Sequence, residues 1–332
     1  MKNLRIAVWG LGRHATNRLL PAIAAARGLE LAGVCSRNHA AVAECARRWC
    51  CDGWSETAAM LRAPSVDIVY VATPSGLHAE HGRQVLGAGK HLLCEKPFTC
   101  HREHTLDLLS MAEQAGLAVG EGHMYLHHPQ FAQLVKYLES GRLGPVRSIA
   151  CRFGIPTLDF SSFRYEPALG GGALLDIGCY PISALRALFP GAQYRVSHSR
   201  VTTRPESNVD TDGYAVVELS TGAVAHLEWR THCAYQNQIE IWGDRGALLT
   251  ERIFSKPADY VPSFHLRDVC GVEIVEHGEP GDHFVAMLES FAAMIYDNRQ
   301  SRAERSRIAG CAETLEQIWR AAPRADRESE VR

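Results

Sequence analysis

Leu-Arg-Ile-Ala-Val-Trp-Gly-Leu-Gly-Arg-His-Ala, at residues 4–15, decides how the first third of this chain is expected to fold. A short apolar strand leads into a glycine turn of the pattern G-x-G-x-x-A, and a helical segment follows. In this pattern Gly10 permits the tight turn, Gly12 leaves the backbone open to a pyrophosphate, and Ala15 lets the helix pack closely on the strand. The helix N-terminus adds unpaired N–H groups and a positive dipole end. We therefore predict a dinucleotide site formed by Gly10, Leu11, Gly12, Arg13, His14 and Ala15. The alternative is a glycine turn without a ligand.

The segments around this turn alternate between strand and helix patterns. Strands are expected at residues 4–9, 29–35, 66–72, 90–94 and 117–120, and helices at 15–26, 39–48, 55–62, 77–88 and 102–115. Such alternation predicts a doubly wound parallel sheet with right-handed crossovers.

Beyond residue 122 the pattern changes to consecutive strands. They are expected at residues 146–153, 194–203, 213–219, 223–230, 236–242 and 247–250, with helices at 129–140, 172–188, 282–296 and 302–321. Tight turns between strands indicate an open, mostly antiparallel sheet. The expected fold class is α/β, with a parallel doubly wound domain at 1–122, an α+β domain at 123–322 and a frayed charged tail at 323–332.

Composition limits the classes of partner. The 332 residues are 46% hydrophobic and 22% charged, with a formal net charge of −2. This balance lacks the basic excess of a nucleic-acid binder, and no apolar run approaches the roughly 18 residues that span a bilayer. The chain enters its first strand without a signal-peptide pattern, so we expect a cytoplasmic protein.

The 11 cysteines indicate buried thiols rather than a metal site. Cys35, Cys94, Cys151 and Cys179 lie in apolar or glycine-rich stretches, as small buried hydrophobes do. Cys94, Cys100, His101 and His104 match no common zinc spacing. We expect no bound metal.

The end of the second strand indicates which dinucleotide binds. An NAD site usually places a carboxylate there, whereas this strand ends in Ser36-Arg37. Ser36 can donate to a phosphate, and the planar guanidinium of Arg37 can grip one. We therefore favour NADP(H) over NAD, although Arg37 could also be an ordinary solvated arginine.

Two further strand ends are expected beside the nicotinamide, because ligands bind beyond the carboxyl ends of parallel strands. One carries Thr73, Pro74 and His78, and the other carries Glu95-Lys96-Pro97. Proline restrains the backbone of Lys96, whose ammonium could stabilise a developing oxyanion. A solvated Glu-Lys pair is the alternative.

Asp176 and Tyr180 form the second candidate constellation. If residues 172–188 are helical, these two side chains share a face. A phenol near a lysine cation can act as a general acid. From position alone, we favour the alternative in which Asp176 caps a local turn and Tyr180 is a half-buried packing residue.

Taken in order, these motifs resemble the Gfo/Idh/MocA oxidoreductases over nearly the whole chain. The resemblance rests on Val-Trp-Gly-Leu-Gly at 8–12, Ala-Thr-Pro-Ser at 72–75 with His78, Glu-Lys-Pro at 95–97, and Gly-Gly-Gly-Ala-Leu-Leu-Asp-Ile-Gly-Cys-Tyr at 170–180. Tyr180, where histidine is commoner, is similar to the branch of sugar ketoreductases and dihydrodiol dehydrogenases. Residues 121–129, 163–165 and 232–237 are most similar to 3-ketoreductases of nucleotide-linked (dTDP) 3-keto-deoxysugars. Gly122 departs from the asparagine that relatives often carry.

The resemblance implies an N-terminal Rossmann domain and an α+β domain that binds a sugar or nucleotide-sugar and forms homodimers or homotetramers through its sheet. It assigns Lys96 and Tyr180 to catalysis, Asp176 to orienting the substrate or the lysine, and Arg164 and Tyr235 to the substrate site.

The sequence thus predicts an NADPH-dependent reductase of a keto-sugar. Tyr180 donates the proton and Lys96 stabilises the oxyanion, or the two roles are exchanged. One alternative is an NADP-dependent dehydrogenase of free sugars, inositols or trans-dihydrodiols. Another is a non-enzymatic NADP(H)-binding sensor, which would need none of the chemistry of Lys96, Asp176 and Tyr180.

Overall fold

The computed structural model describes residues 3–157, 159, 162–204 and 207–323. The strands are β1 Leu4–Trp9, β2 Leu29–Cys35, β3 Asp52–Trp54, β4 Ile68–Val71, β5 His91–Cys94, β6 Val119–Glu121, β7 Val146–Gly154, β8 Tyr194–Thr203, β9 Asp210–Leu219, β10 Val224–Arg230, β11 Gln236–Gly243, β12 Gly246–Glu251, β13 Ser263–Asp268 and β14 Glu273–His277. The α-helices are α1 Leu20–Ala25, α2 His39–Trp49, α3 Thr57–Arg62, α4 His78–Gly87, α5 Arg102–Gln114, α6 Pro129–Glu139, α7 Cys179–Leu188, α8 His283–Met294 and α9 Asn298–Ala321. Single π-helical turns at Ala15–Leu19 and Leu174–Gly178 lead into α1 and α7.

The chain divides into two compact units. Among the described residues, the first unit contains those from position 3 to His127 together with Asp282–Ala312, and the second contains those of His128–Gly281 together with positions 313–323. This division differs from the expected 1–122 and 123–322. The 3₁₀ turn Met124–His127 and α8 both pack in the first unit, and Ile308 of α9 joins that unit's core. The expected tail at 323–332 lies outside the described residues except for its first position.

The first unit contains a six-stranded parallel sheet in the order β3-β2-β1-β4-β5-β6. Every residue of β4 is buried, as expected for a strand covered on both faces. The strand order reverses between β1 and β4, which is the topological switch point where doubly wound sheets bind ligands. The predicted Rossmann domain is confirmed.

The second unit contains an eight-stranded sheet in the order β14-β13-β12-β11-β7-β10-β9-β8. Among the strand pairs that the structure describes in this sheet, only β7–β10 is parallel, so the predicted mostly antiparallel sheet is confirmed. One face of this sheet is buried: Trp229 on β10 is fully buried, and α7 packs against β7 and β10.

Several sequence predictions were wrong in detail. β3, β13 and β14 were not predicted, and α3 begins at Thr57 rather than at residue 55, with Glu56 at its N-cap position. The segment Pro167–Leu188, which contains a 3₁₀ turn, the π-helical turn and α7, has the length and apolarity of a membrane span, although no such segment was expected. In that segment, 72% of the most apolar window is buried inside the structure, as in a core helix of a globular unit.

Candidate functional site

The glycine turn has the geometry that a dinucleotide requires. Gly10 has a φ of +110°, and a Cβ there would lie 2.7 Å from the Ala72 carbonyl oxygen, so only glycine fits between β1 and β4. A Cβ on Gly12 would meet no atom within 4 Å, which leaves the turn open on the side expected to face a pyrophosphate. Ala15 is buried where the helical run begins. These residues fit a bound dinucleotide.

Glu95 joins the glycine turn to the end of β5. Its Oε1 accepts a hydrogen bond from the Tyr70 hydroxyl at 2.7 Å and lies 2.9 Å from Nε2 of His14. Burial alone would raise the pKa of Glu95, but the charge and hydrogen bond of His14, the Tyr70 hydroxyl and the charge of Lys96 lower it to about 2. Glu95 is therefore a carboxylate at neutral pH, placed beside Lys96.

The backbone that follows Lys96 is held by a buried carboxylate. The Lys96–Pro97 peptide is cis, and the next backbone N–H, of Phe98, donates to Oε1 of Glu121 at 2.8 Å. Oε2 of Glu121 lies 3.2 Å from the Arg307 guanidinium. Burial opposes ionisation of Glu121, but His123 and Arg307 lower its pKa to about 2. The first unit thus fixes the lysine loop through a buried ion pair that sequence reasoning missed.

His78 lies inside the fold, between the two strand-end segments. Its Nδ1 and Nε2 lie 2.9 Å from the carbonyl oxygens of Pro97 and Thr73, respectively. Burial, opposed by these two carbonyls, lowers the pKa of His78. His78 is 1% exposed, and its ring lies between the Thr73 and Pro97 carbonyls rather than at the surface.

His81 is a further residue at this edge that the sequence did not reveal. Its Nδ1 lies 2.9 Å from the Thr73 hydroxyl, and its ring stacks on Trp9 with centroids 3.9 Å apart. Burial lowers the pKa of His81 to about 4, so the ring is neutral at pH 7. Pro74 starts the 3₁₀ turn that carries the chain from Thr73 into α4.

Ser36 and Arg37 lie at the end of β2, as predicted. The Ser36 hydroxyl accepts a hydrogen bond from the Asn38 N–H at 3.2 Å, and Asn38 caps α2. Arg37 is exposed, and within the described part of the chain its guanidinium forms no ion pair or hydrogen bond. Arg37 is therefore available to a phosphate beside the dinucleotide turn.

In the second unit, Asp176 pairs with Arg164. Nε of Arg164 lies 2.8 Å from Oδ2 of Asp176, whose side chain is 15% exposed. The glycine run before Asp176 has a steric cause. Gly172 has a φ of +121°, and a Cβ there would lie 2.2 Å from Oδ1 of Asp210. Oδ2 of Asp210 accepts the Leu174 N–H at 2.7 Å and so caps the helical run, a role that the sequence did not reveal.

Tyr180 lies one helical turn beyond Asp176, in an aromatic environment. Its ring centroid is 5.1 Å from that of Phe153 and 5.7 Å from that of Phe254, and the residue is 7% exposed. Tyr235 is 43% exposed at the start of β11. The second unit therefore presents a phenol, a paired carboxylate and an exposed tyrosine. Among the residues that the structure describes, no three metal-ligating side chains converge.

Comparison with known proteins agrees with this geometry. Residues 4–123 match the Gfo/Idh/MocA model described as an oxidoreductase family with an NAD-binding Rossmann fold, and residues 131–249 match the Gfo/Idh/MocA C-terminal domain. The dTDP-3,4-didehydro-2,6-dideoxy-alpha-D-glucose 3-reductase of Saccharopolyspora spinosa is 36% identical over 78% of both chains. The enzyme of the same name from Actinomadura kijaniata is 34% identical over 90% of both.

A crystal structure of KijD10, a 3-ketoreductase from Actinomadura kijaniata in complex with NADP and TDP-benzene, is also similar. It superposes with a TM-score of 0.90 at 32% identity and covers 97% of this chain and 98% of that chain. The resemblance predicted from the motifs is confirmed: the chain belongs to the Gfo/Idh/MocA oxidoreductase family.

Proposed function

We propose that this protein is an NADPH-dependent reductase of a keto group on a sugar, and that the sugar is a nucleotide-linked keto-deoxysugar. The observation that carries the proposal is the similarity to KijD10, bound to NADP and TDP-benzene, over 97% of the chain. The exposed Arg37 at the end of β2, with no carboxylate beside it in sequence, supports NADP(H) over NAD.

The proposed chemistry uses Lys96, Tyr180 and Asp176. NADPH supplies the hydride when bound. Tyr180 donates the proton to the carbonyl oxygen, and the ammonium of Lys96 stabilises the negative charge that develops there. The opposite assignment of these two roles is equally compatible with the residues. Asp176, ion-paired with Arg164, orients the substrate or the lysine.

The reaction balances as a two-electron reduction. The carbonyl carbon gains a hydride and its oxygen gains a proton, so a ketone becomes a secondary alcohol. Crystal structures of KijD10 include a lysine variant and a tyrosine variant, each with TDP-benzene and NADP. These are the two residue types that the proposal places in catalysis.

A second candidate is the oxidation of free sugars, inositols or dihydrodiols with NADP⁺. More distant relatives support it: an NADP⁺-dependent D-xylose 1-dehydrogenase of Haloferax volcanii is 28% identical over 96% of this chain. Uncharged substrates need fewer cationic contacts, so the charge of the substrate site distinguishes the two candidates.

We also propose that the protein is cytoplasmic and forms a homodimer or homotetramer through the sheet of the second unit. Trp242 on β11 is 65% exposed, and Ile274 and Val275 on the edge strand β14 are 48% and 47% exposed. Exposed apolar side chains on a sheet are typical of protein interfaces.

The test follows NADPH absorbance against matched free and dTDP-linked keto-sugars, repeated with NADH. We expect turnover with the dTDP-linked ketones and a preference for NADPH. Turnover confined to free sugars or diols would favour the second candidate. Tight NADPH binding with no turnover on any substrate would indicate a sensor.

A further inference from the structure

One edge of the second unit's sheet gathers the ends of its central strands. The register pairs Gly154 with both Arg230 and Gln236, and Gln238 pairs with Glu251. The end of β7, the end of β10, the start of β11 and the end of β12 therefore lie side by side. The loop that carries Arg164 leaves from this edge, so it is the edge at which a substrate is expected.

Arg252 follows β12 at this edge with an unusual backbone. Its φ is +50°, a left-handed conformation that costs a non-glycine residue energy and that glycine adopts freely. The Arg252 N–H donates to the Asn237 carbonyl at 2.6 Å. Its side chain is exposed and, in the described ranges, its guanidinium has no ion pair or hydrogen bond. Non-glycine residues held in a sparsely populated backbone conformation are concentrated at functional sites.

Two tyrosines hold this guanidinium. The Arg252 Cζ lies 5.8 Å from the ring centroids of both Tyr235 and Tyr260. Tyr235 is itself fixed, because its hydroxyl accepts a hydrogen bond from Nδ2 of Asn237 at 2.8 Å. The cation is therefore positioned in advance and keeps its N–H donors for a ligand.

A second cation lies four residues further on. Lys256 is 7% exposed, and its Nζ donates to the Ile253 carbonyl at 2.7 Å. Across the part of the chain that the structure describes, no carboxylate pairs with it. Its surroundings include another basic group, since His128 lies close enough to interact electrostatically. A buried ammonium without a counter-ion is costly, and an anionic ligand would offset that cost.

Phe254, between these two cations in sequence, connects them to the proposed proton donor. Its ring centroid lies 5.7 Å from that of Tyr180, and its N–H donates to Oδ1 of Asn237 at 2.8 Å. The Asn237 side chain, which hydrogen-bonds to Tyr235, thus also holds the backbone of Phe254, the residue that packs on Tyr180. An anion bound at residues 252–256 would lie beside the catalytic phenol.

We propose that Arg252 and Lys256 bind the diphosphate of a nucleoside-diphosphate-linked sugar, and that Tyr235 and Tyr260 hold the arginine and flank the nucleotide. This inference rests on the proposed reductase function and adds to it the group that selects a nucleotide-linked substrate. Arg164 is less suited to this task because it is already paired with Asp176.

The test compares dTDP binding, measured by calorimetry, in the native protein and in Arg252→Gly. Glycine removes the guanidinium and relieves the left-handed backbone, so the variant should unfold at the native temperature or above. We expect the Kd of Arg252→Gly for dTDP to be at least tenfold higher than that of the native protein, and the Kd of Arg252→Lys to lie between these two values. The affinity for NADPH should stay unchanged in both variants. Arg200→Ala is the matched control, because Arg200 is also exposed but lies on β8 at the far edge of the sheet.

A native Kd for dTDP in Arg252→Gly, or no dTDP binding by the native protein, would overturn the inference. Kinetics separate this failure from failure of the proposed function. If the native protein reduces a dTDP-linked ketone and Arg252→Gly does so with an unchanged KM, only the inference fails. If the native protein reduces no keto-sugar, the proposed function fails whatever the dTDP affinity is.

Discussion

Replacing Glu95 by glutamine tests whether its carboxylate joins the glycine turn to the lysine loop. Glutamine keeps the shape and can still accept the Tyr70 hydroxyl, but it loses the charge that faces His14 and Lys96. The perturbation therefore isolates electrostatics from packing.

The magnitude follows from linkage between protonation and folding. The pKa of Glu95 falls from an ordinary 4.5 to about 2, and each pKa unit corresponds to about 1.4 kcal/mol. Because the folded pKa is the lower one, the stabilisation is present above pH 4.5 and is lost as the pH falls towards 2. Glu95→Gln should therefore lower the free energy of unfolding by roughly 3 kcal/mol at pH 5 and by only about 1 kcal/mol at pH 3.

The assay is urea unfolding of the cofactor-free protein, followed by tryptophan fluorescence at both pH values. Glu44→Gln is the control, since Glu44 is exposed on α2, and its deficit should be within about 0.5 kcal/mol at either pH. The reasoning would be refuted by a Glu95→Gln protein of native stability at pH 5, or by a deficit that does not change with pH.

Four other substitutions follow from the structure. Burial lowers the pKa of Lys256 from 10.5 to about 7, so the unfolded chain binds this proton more tightly and folding stability rises with pH between these values. In urea unfolding, the free energy of unfolding of Lys256→Met should accordingly exceed that of the native protein by about 4 kcal/mol at pH 7 and about 2 kcal/mol at pH 9. A variant whose stability equals that of the native protein at both pH values would contradict the burial argument. Arg37→Ala should weaken NADPH binding roughly 30-fold, as expected for a lost charge-assisted contact of about 2 kcal/mol, while fluorescence titration shows unchanged NADH affinity; equal losses for both cofactors would place Arg37 away from the distinguishing phosphate. Lys96→Ala and Tyr180→Phe should each lower kcat by about 100-fold or more with NADPH affinity nearly intact, and native turnover in either would remove that residue from the mechanism.

Local patterns predicted the fold well where burial repeats regularly. The bounds of β1, β2 and β8 agree with the sequence predictions, because apolar runs and turn residues mark both ends of those segments. β14 was missed since its residues, Glu-Ile-Val-Glu-His, are almost all exposed on an edge strand and leave no burial pattern. β3 is three residues long, too short for any periodicity.

The site was predictable only where its residues are close in sequence. The glycine turn, Glu95-Lys96 and the Asp176–Tyr180 spacing are local patterns, and the structure gives each a defined position. Glu121 and Arg307 are 186 residues apart, and Asp210 caps a helical run whose Leu174 lies 36 residues earlier. Such pairs form only in the tertiary fold, so no local sequence pattern predicts them.

Isotope transfer shows whether hydride from NADPH reduces the keto group of a sugar. The native protein is mixed with NADPH deuterated at nicotinamide C4 on the transferred face and with dTDP-3,4-didehydro-2,6-dideoxy-alpha-D-glucose, the substrate named for its relatives. We expect one deuterium per product molecule, on the one carbonyl carbon that becomes the new alcohol carbon, detected by mass spectrometry and NMR. An alcohol product without deuterium at that carbon, or no reduction of the sugar at all, would contradict this expectation.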